Sequence, residues 1–197
     1  MRSRVVLAAV ISVVAAAGVS AAVVMRSDSA SSHGPIAPQP NHGSIVDITR
    51  VGAVKADGHE TLRLSGDSPA TITNVEVIGG EESMKFLGAM VAGPGRKFGA
   101  KQLFHRYPPP PHTNGLGSVE PAIGAVLQPT TGPDSYELLI GFRYIADTFA
   151  ARSTVIVSYT VDGKRYRADL HARWVTCPTT MTNDECSART DKLFPDG

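Results

Sequence analysis

The sequence predicts an all-β body, a two-layered β-sandwich, carried behind one apolar N-terminal helix. Three observations predict it. Residues 5–25 form an unbroken apolar run. From residue 44 onward, short stretches alternate apolar and polar side chains with the two-residue period of a strand, divided by Gly, Pro, Asn and Asp clusters. Beyond the first run, no stretch holds a helical period. Seven or eight short strands with turn clusters between them are the pattern of two packed sheets.

The apolar run reads VVLAAVISVVAAAGVSAAVVM, 21 residues without a charge, in which only Ser12 and Ser20 are polar. At about 1.5 Å per residue it spans roughly 30 Å, the thickness of a bilayer's hydrocarbon core. Arg2 and Arg4 precede it and hold the amino terminus in the cytoplasm, so the rest of the chain lies outside. Arg26 weakens that asymmetry without reversing it. The length favours an uncleaved anchor. The small residues Val19-Ser20-Ala21 leave room for a cleaved signal peptide and a secreted product. No cysteine lies near the run, which excludes a lipoprotein anchor. Residues 1–26 are therefore anchor or signal. Residues 27–43, SDSASSHGPIAPQPNHG, have the composition of a flexible tether, with His33 and His42 as solvated loop residues.

The sandwich is expected over residues 44–177. IVDITRVGAV (45–54) and HETLRLSG (59–66) read as strands, and Gly66-Asp67-Ser68-Pro69 as a turn. ATITNVEVIGG (70–80) alternates, with Ile72, Asn74, Glu76 and Ile78 on one side and Thr71, Thr73, Val75 and Val77 on the other. MKFLGAMVAG (84–93) is a further strand, in which Met84 and Met90 share a face. Residues 94–121 break the pattern: Pro108 to Pro111 cannot donate ladder hydrogen bonds and favour polyproline II. AIGAVLQP (122–129) resumes as a strand. In SYELLIGFRYI (135–145), Leu138, Ile140, Phe142 and Tyr144 share one face and Glu137, Leu139, Gly141 and Arg143 the other.

The strongest local signal is STVIVSYTVDGKRYRADLHARW (153–174). Asp162-Gly163 sits between two alternating runs, the mark of a two-residue hairpin. Counting outward pairs Val161 with Lys164, Tyr159 with Tyr166, Val157 with Ala168 and Val155 with Leu170 on a buried face. Thr160 then meets Arg165, Ser158 meets Arg167, Ile156 meets Asp169 and Thr154 meets His171 on a wet one. Trp174 continues the inward set and is expected near the only two cysteines, Cys177 and Cys186. Outside the cytoplasm these pair and pin the tail, residues 178–197, to the last strand. Eight residues separate them, unlike the two of a catalytic redox pair.

Charge bounds the function. From Ser27 onward the chain carries 16 Lys and Arg against 18 Asp and Glu, a net of −2, which argues against nucleic acid as a partner. There is no G-x-S-x-G, and His171 has no nucleophile near it in sequence, so no catalytic residues are assigned. Glu81-Glu82 reads as a solvated turn. No cofactor is expected. The alternative is copper handling by His105 and His112, which flank the prolines, with Met84 and Met90 as soft ligands. Arg165, Arg167, His171 and Arg173 form a basic stripe broken by Asp169. Phe104 and Tyr107, in LFHRYPPPPH, suit contact with a protein. These are the two candidate partner surfaces.

NVEVIGG, ELLIGFRY and VIVSYTVDGKRYRADL resemble the immunoglobulin-like domains of single-pass, envelope-exposed proteins of high-GC Gram-positive bacteria. The resemblance covers about residues 44–177. It implies placement and fold only, an immunoglobulin-like sandwich on the extracytoplasmic side of the membrane, and it carries over no catalytic residue; the partners expected from the candidate surfaces are the membrane, through the N-terminal helix, and another envelope protein or a cell-wall component. Unlike antibody domains, the chain has no Cys…Trp…Cys spacing to join two sheets. The functional expectation is a non-catalytic binding or structural domain of the envelope.

Overall fold

The computed structural model describes residues 34–37, 44–97, 102–110, 117–131 and 134–195; the apolar run, His33, His42 and His112 lie outside them. Among the described residues no helix is long and apolar enough to cross a membrane. The strands are β1 (Ser44–Ile48), β2 (Val54–Leu62), β3 (Ala70–Gly79), β4 (Met84–Lys97), β5 (Gln102–Phe104) and β6 (Val119–Pro121). They continue with β7 (Val126–Leu127), β8 (Asp134–Tyr144), β9 (Ala150–Val161), β10 (Lys164–Leu170) and β11 (Arg173–Cys177), and one helix, α1 (Asn183–Leu193), ends the chain. Two sheets pack together. One runs β1-β11-β9-β3-β7, with β10 also on β9; the other runs β5-β2-β8-β4-β6.

The hairpin forms in the expected register. Val161 pairs with Lys164, Tyr159 with Tyr166, Val157 with Ala168 and Val155 with Leu170. Asp162 at φ 49° and Gly163 at φ 75° turn the chain as such a tight hairpin requires. The inward residues of this hairpin meet Leu62, Leu138, Ile140, Phe142 and Tyr144 of the other sheet in the main core. Both faces of β8 behave as its alternation demands, but both are buried. Leu139 and Gly141 face away from the main core, under a cover made by residues 102–110.

Several expectations need correction. A helix not expected beyond the apolar run forms in the tail: Thr182 caps α1 through a capping box with Glu185, two residues that carry the N-terminal signature in plain sequence. Part of the tether is docked. Ile36 is 3% exposed, bridges Leu64, and its amide donates to the Tyr159 hydroxyl at 3.1 Å. The strand expected at 45–54 is two, since the chain turns at Val51-Gly52 between β1 and β2. The one expected at 122–129 shrinks to Val126–Leu127, and 94–121 contains the end of β4 and all of β5 and β6.

Bulges account for the misplaced faces, because one extra residue inverts every side chain beyond it. A register shift between Ile72 and Asn74 buries Ile72 and then Val75, leaving Glu76 and Ile78 outside. A shift between Phe86 and Gly88 puts Met84 in the main core and Met90 in the outer cluster with Leu139, so the two methionines do not share a face. Trp174 lies in the main core, while Cys177, three residues on, joins the cluster on the opposite face with Val175 and Cys186. Trp174 therefore does not pack on the Cys177–Cys186 bridge, whose formation is otherwise as expected.

The cover over β8 depends on an absent side chain. A Cβ at Gly141 would stand 2.2 Å from Cδ2 of Tyr107. Gly141→Ala is expected to lift the Tyr107 ring and cost about 1–3 kcal/mol. Denaturant unfolding checks the cost, and faster tryptic cleavage after Arg106 checks the site of the damage. Reduction of Cys177–Cys186 is expected to lower stability by roughly 2–3 kcal/mol in the loop-closure account, read as a drop in the urea midpoint.

Candidate functional site

β2 reads VKADGHETL, with four ionisable side chains in a strand that lies between β5 and β8 in the second sheet. Its pairing with β8 shifts between Asp57 and Glu60. Around this bulge Asp57 is fully buried, Glu60 is 5% exposed, and His59 is mostly buried. The first sheet answers with Arg152 on β9, 1% exposed. The ladder breaks there too: Leu170 pairs with Val155 but Trp174 with Arg152, so β9 turns Arg152 inward beside Val155 and Val157. Buried charges need partners, and these have them. Arg152 Nη2 donates to Asp57 Oδ2 at 2.6 Å, and Nε donates to the Ala172 carbonyl at 2.7 Å. Glu60 Oε1 lies 3.8 Å from Nη2. His59 meets Asp57 Oδ1 through Nδ1 and donates to it from its backbone N–H at 3.0 Å.

Burial and charge act against each other here. Burial raises Asp57, but Arg152 and His59 outweigh it and hold the carboxyl below the usual carboxylate range. Glu60 has no short partner. Burial pushes it up to about 7, Arg152 opposing and Asp57 assisting.

A second polar network shares Trp174 with the first. Trp174 Nε1 donates to the Tyr144 hydroxyl at 3.2 Å, and that hydroxyl donates to Asp47. Lys55 Nζ donates to both Asp47 oxygens at 2.7 Å and lies 5.6 Å from the Tyr144 ring. Burial, and then the Asp47 carboxylate, raise the Tyr144 hydroxyl well above its ordinary range. The Trp174 indole also faces Arg152 at 5.8 Å and His59 at 6.0 Å. One residue of β11 thus joins β1, β2, β8 and β9.

Asp57 and His59 have the form of an oriented base, but the His59 ring packs on Trp174, and the chain's two cysteines are joined to each other. What borders this cluster is a cavity of about 70 Å³, lined by Val77, Gly79, Met84, Phe86, Ile140, Phe142, Glu81 and Arg152. A shallower cleft of about 550 Å³ lies elsewhere, with Thr49, Arg50, Lys55, His105 and Thr179 on its walls.

The residues singled out from sequence do not converge. Arg165 and Arg167 are exposed on β10, and Arg167 is held bidentately by Asp169 at 2.5 and 3.1 Å, which cancels its charge locally. His171 is exposed. Arg173 leaves the stripe: it is half-buried, with its guanidinium 4.8 Å from the Phe194 ring just past α1. Phe104 packs against the Leu139 cluster and Tyr107 against Gly141, so both serve as the inner side of the cover rather than as an open contact surface. His105 is exposed, and its intended partner His112 lies outside the described residues. Among the described residues no three His, Cys, Asp or Glu side chains are grouped to hold a metal. The buried cluster escaped sequence reading. Its trace was Lys55 and Asp57 two apart in an otherwise strand-like run, but Arg152 lies 95 residues further on.

No protein-family model, curated protein or solved structure matches the chain.

The raised Glu60 gives stability a pH signature. The folded state binds this proton at about 7 and the unfolded chain at the ordinary glutamate value of 4.5, so Glu60 stabilises least when ionised. Its contribution falls as pH rises from 4.5 to 7, by about 3 kcal/mol at the limit. Asp57, shifted the other way, adds stability that is lost only as pH falls below the ordinary carboxylate range. Thermal unfolding of Glu60→Gln is expected to lack the decline between pH 4.5 and 7 that the parent shows; parallel profiles would refute the assignment.

Proposed function

We propose that this chain is a membrane-anchored, extracytoplasmic domain that binds or spaces components of the cell envelope without catalytic turnover. The observation that carries the reading is the Cys177–Cys186 disulfide, which ties β11 to α1 and belongs in an oxidising compartment. The 21-residue apolar run with Arg2 and Arg4 before it agrees with a single-pass anchor, and a cleaved signal would place the body on the same side. The interior ionic groups support a structural use: Asp57, Arg152, Asp47 and Lys55 are spent on joining strands.

An immunoglobulin-like kinship is part of the proposal. β2-β8-β4 in one sheet and β3-β9 followed by β10 and β11 in the other resemble the two-sheet, Greek-key arrangement of such domains. β1 runs parallel to β11 at the edge. The partner is another envelope protein or a cell-wall component, met by the outer face of β10, where Arg165, Arg167 and Asp169 are exposed; the outer face of β9, expected wet, is half-buried at Ser158 and Thr160 and buried at Ile156. Nothing in the arrangement of Met84, Met90 and His105 favours copper.

Protease treatment of intact spheroplasts tests the placement. The body is expected to be degraded from outside, and both cysteines to resist a maleimide until reduced. A protected body with two reactive thiols would overturn the reading. The mass of the mature amino terminus separates anchor from secreted product.

A further inference from the structure

The edge strands of the two sheets leave a gap on one flank. β1 ends the first sheet and β5 the second, and Lys55 of β2 reaches across to Asp47 of β1, which sets the two edges side by side. The cleft of about 550 Å³ lies here. Its walls carry Arg50, Lys55 and His105, the hydroxyls of Thr49 and Thr179, and no Asp or Glu. Lys55 is buried, and Asp47 answers its charge. Arg50 and His105 are exposed, and among the described residues no ion pair engages either. Local structure fixes where both stand. Arg50 opens a tight turn: the Ala53 N–H donates to the Arg50 carbonyl at 3.2 Å, Gly52 takes φ 88°, and its N–H donates to the Tyr144 carbonyl at 2.8 Å. β5 lies on β2 with Phe104 opposite Ala56, so one further step brings His105 level with Lys55. Thr179 is held in place by Asp147, to which its N–H and hydroxyl both donate.

We propose that this cleft binds a phosphoryl group carried on a larger molecule, with the Arg50 guanidinium and the His105 imidazole as its donors. Sign selects an anion, because the walls hold cationic and hydroxyl side chains and no carboxylate. Shape selects the phosphoryl group. Arg50 comes from the β1–β2 turn and His105 from the end of β5, so the donors stand on separate elements. A guanidinium offers a planar fork of N–H donors and a neutral imidazole one more. A tetrahedral phosphoryl group has oxygens to meet both, whereas a carboxylate has only two, in one plane. Size selects a larger molecule around it. The volume falls in the range of about 300–1,000 Å³ usual for small-molecule sites, and Ile48, Ala53 and Val54 give the organic part an apolar wall. The proposal goes beyond the envelope reading and does not rest on it. Arg50 and His105 stand on other elements than the β10 face, so either can fail with the other intact.

The test uses the full-length chain in dodecyl maltoside micelles, which carry no phosphate, with isotope-labelled threonine, the Thr49 amide resonance being assigned with Thr49→Ser. Glycerol phosphate, glycerol, acetate and phosphatidylglycerol are titrated in turn at constant ionic strength. Glycerol phosphate is expected to shift the Thr49 amide saturably with a dissociation constant of about 1 mM, the scale open to so small a ligand. Acetate should bind at least about tenfold more weakly, and glycerol should leave the resonance in place. Arg50→Gln should weaken glycerol phosphate at least about tenfold and His105→Gln at least about threefold. Lys164→Gln, which removes an exposed cation from the hairpin, should change nothing. The other threonine amides report that each variant keeps its fold. No shift with either phosphate compound overturns the site, as does a response that survives Arg50→Gln or falls equally in Lys164→Gln. An equal response to acetate overturns the phosphoryl assignment. A stronger response to phosphatidylglycerol than to glycerol phosphate supports the site with a lipid headgroup as the source, and the reverse order supports it with a water-soluble ester.

Discussion

The two sheets are joined by a charge that could not sit between them alone. Arg152 is almost fully buried on β9, and the second sheet supplies Asp57 and Glu60 to meet it. Desolvating such a group costs several kcal/mol, and removing one partner of a buried pair typically costs about 3–5 kcal/mol. The pair is therefore less a source of stability than a condition on geometry. Only one relative placement of β2 and β9 satisfies it, and that placement brings Trp174 against both Arg152 and His59. The Trp174–Tyr144–Asp47–Lys55 chain extends the same condition to β1 and β8.

Both sides of this junction are made by irregularities. The bulge in β2 turns Asp57 and Glu60 toward the interior together, and the ladder break in β9 turns Arg152 inward where strict alternation from Val155 would point it out. Regular alternation from Leu62 and from Val155 would have kept Glu60 inside and turned Asp57 and Arg152 out, leaving Glu60 without a charge to meet it. The irregular positions are thus where the body departs from a simple wall.

Around this centre the chain protects its surfaces in two ways. Residues 102–110 lie over the outer face of the second sheet, with Tyr107 seated on Gly141 and Phe104 beside Leu139. The carboxy-terminal helix covers the outer face of β1 and β11, held by the disulfide, by Arg189 4.0 Å from the Phe149 ring and by Arg173 beside Phe194. Among the described residues, the outer face of β10 and the edge between β3 and β4 are left uncovered.

Much of this fold was legible in the sequence. The Asp162-Gly163 turn and the alternation around it determined a seven-pair register, because local turn geometry and a buried face specify the same count. The two-sheet class, the faces of β8 and the pairing of Cys177 with Cys186 were legible for the same reason: period and proximity are local. The bulges in β2, β3 and β4 were not, since an extra residue leaves no mark on composition, and each inverted the faces that followed. The helix was overlooked although Thr182 and Glu185 announce it, because its face is too polar to show a period. The candidate site was illegible as a site. Asp57 and Arg152 are ordinary charged residues in strands until two sheets close on them, and only tertiary packing decides that one carboxylate and one guanidinium, far apart in the chain, must answer each other out of reach of water.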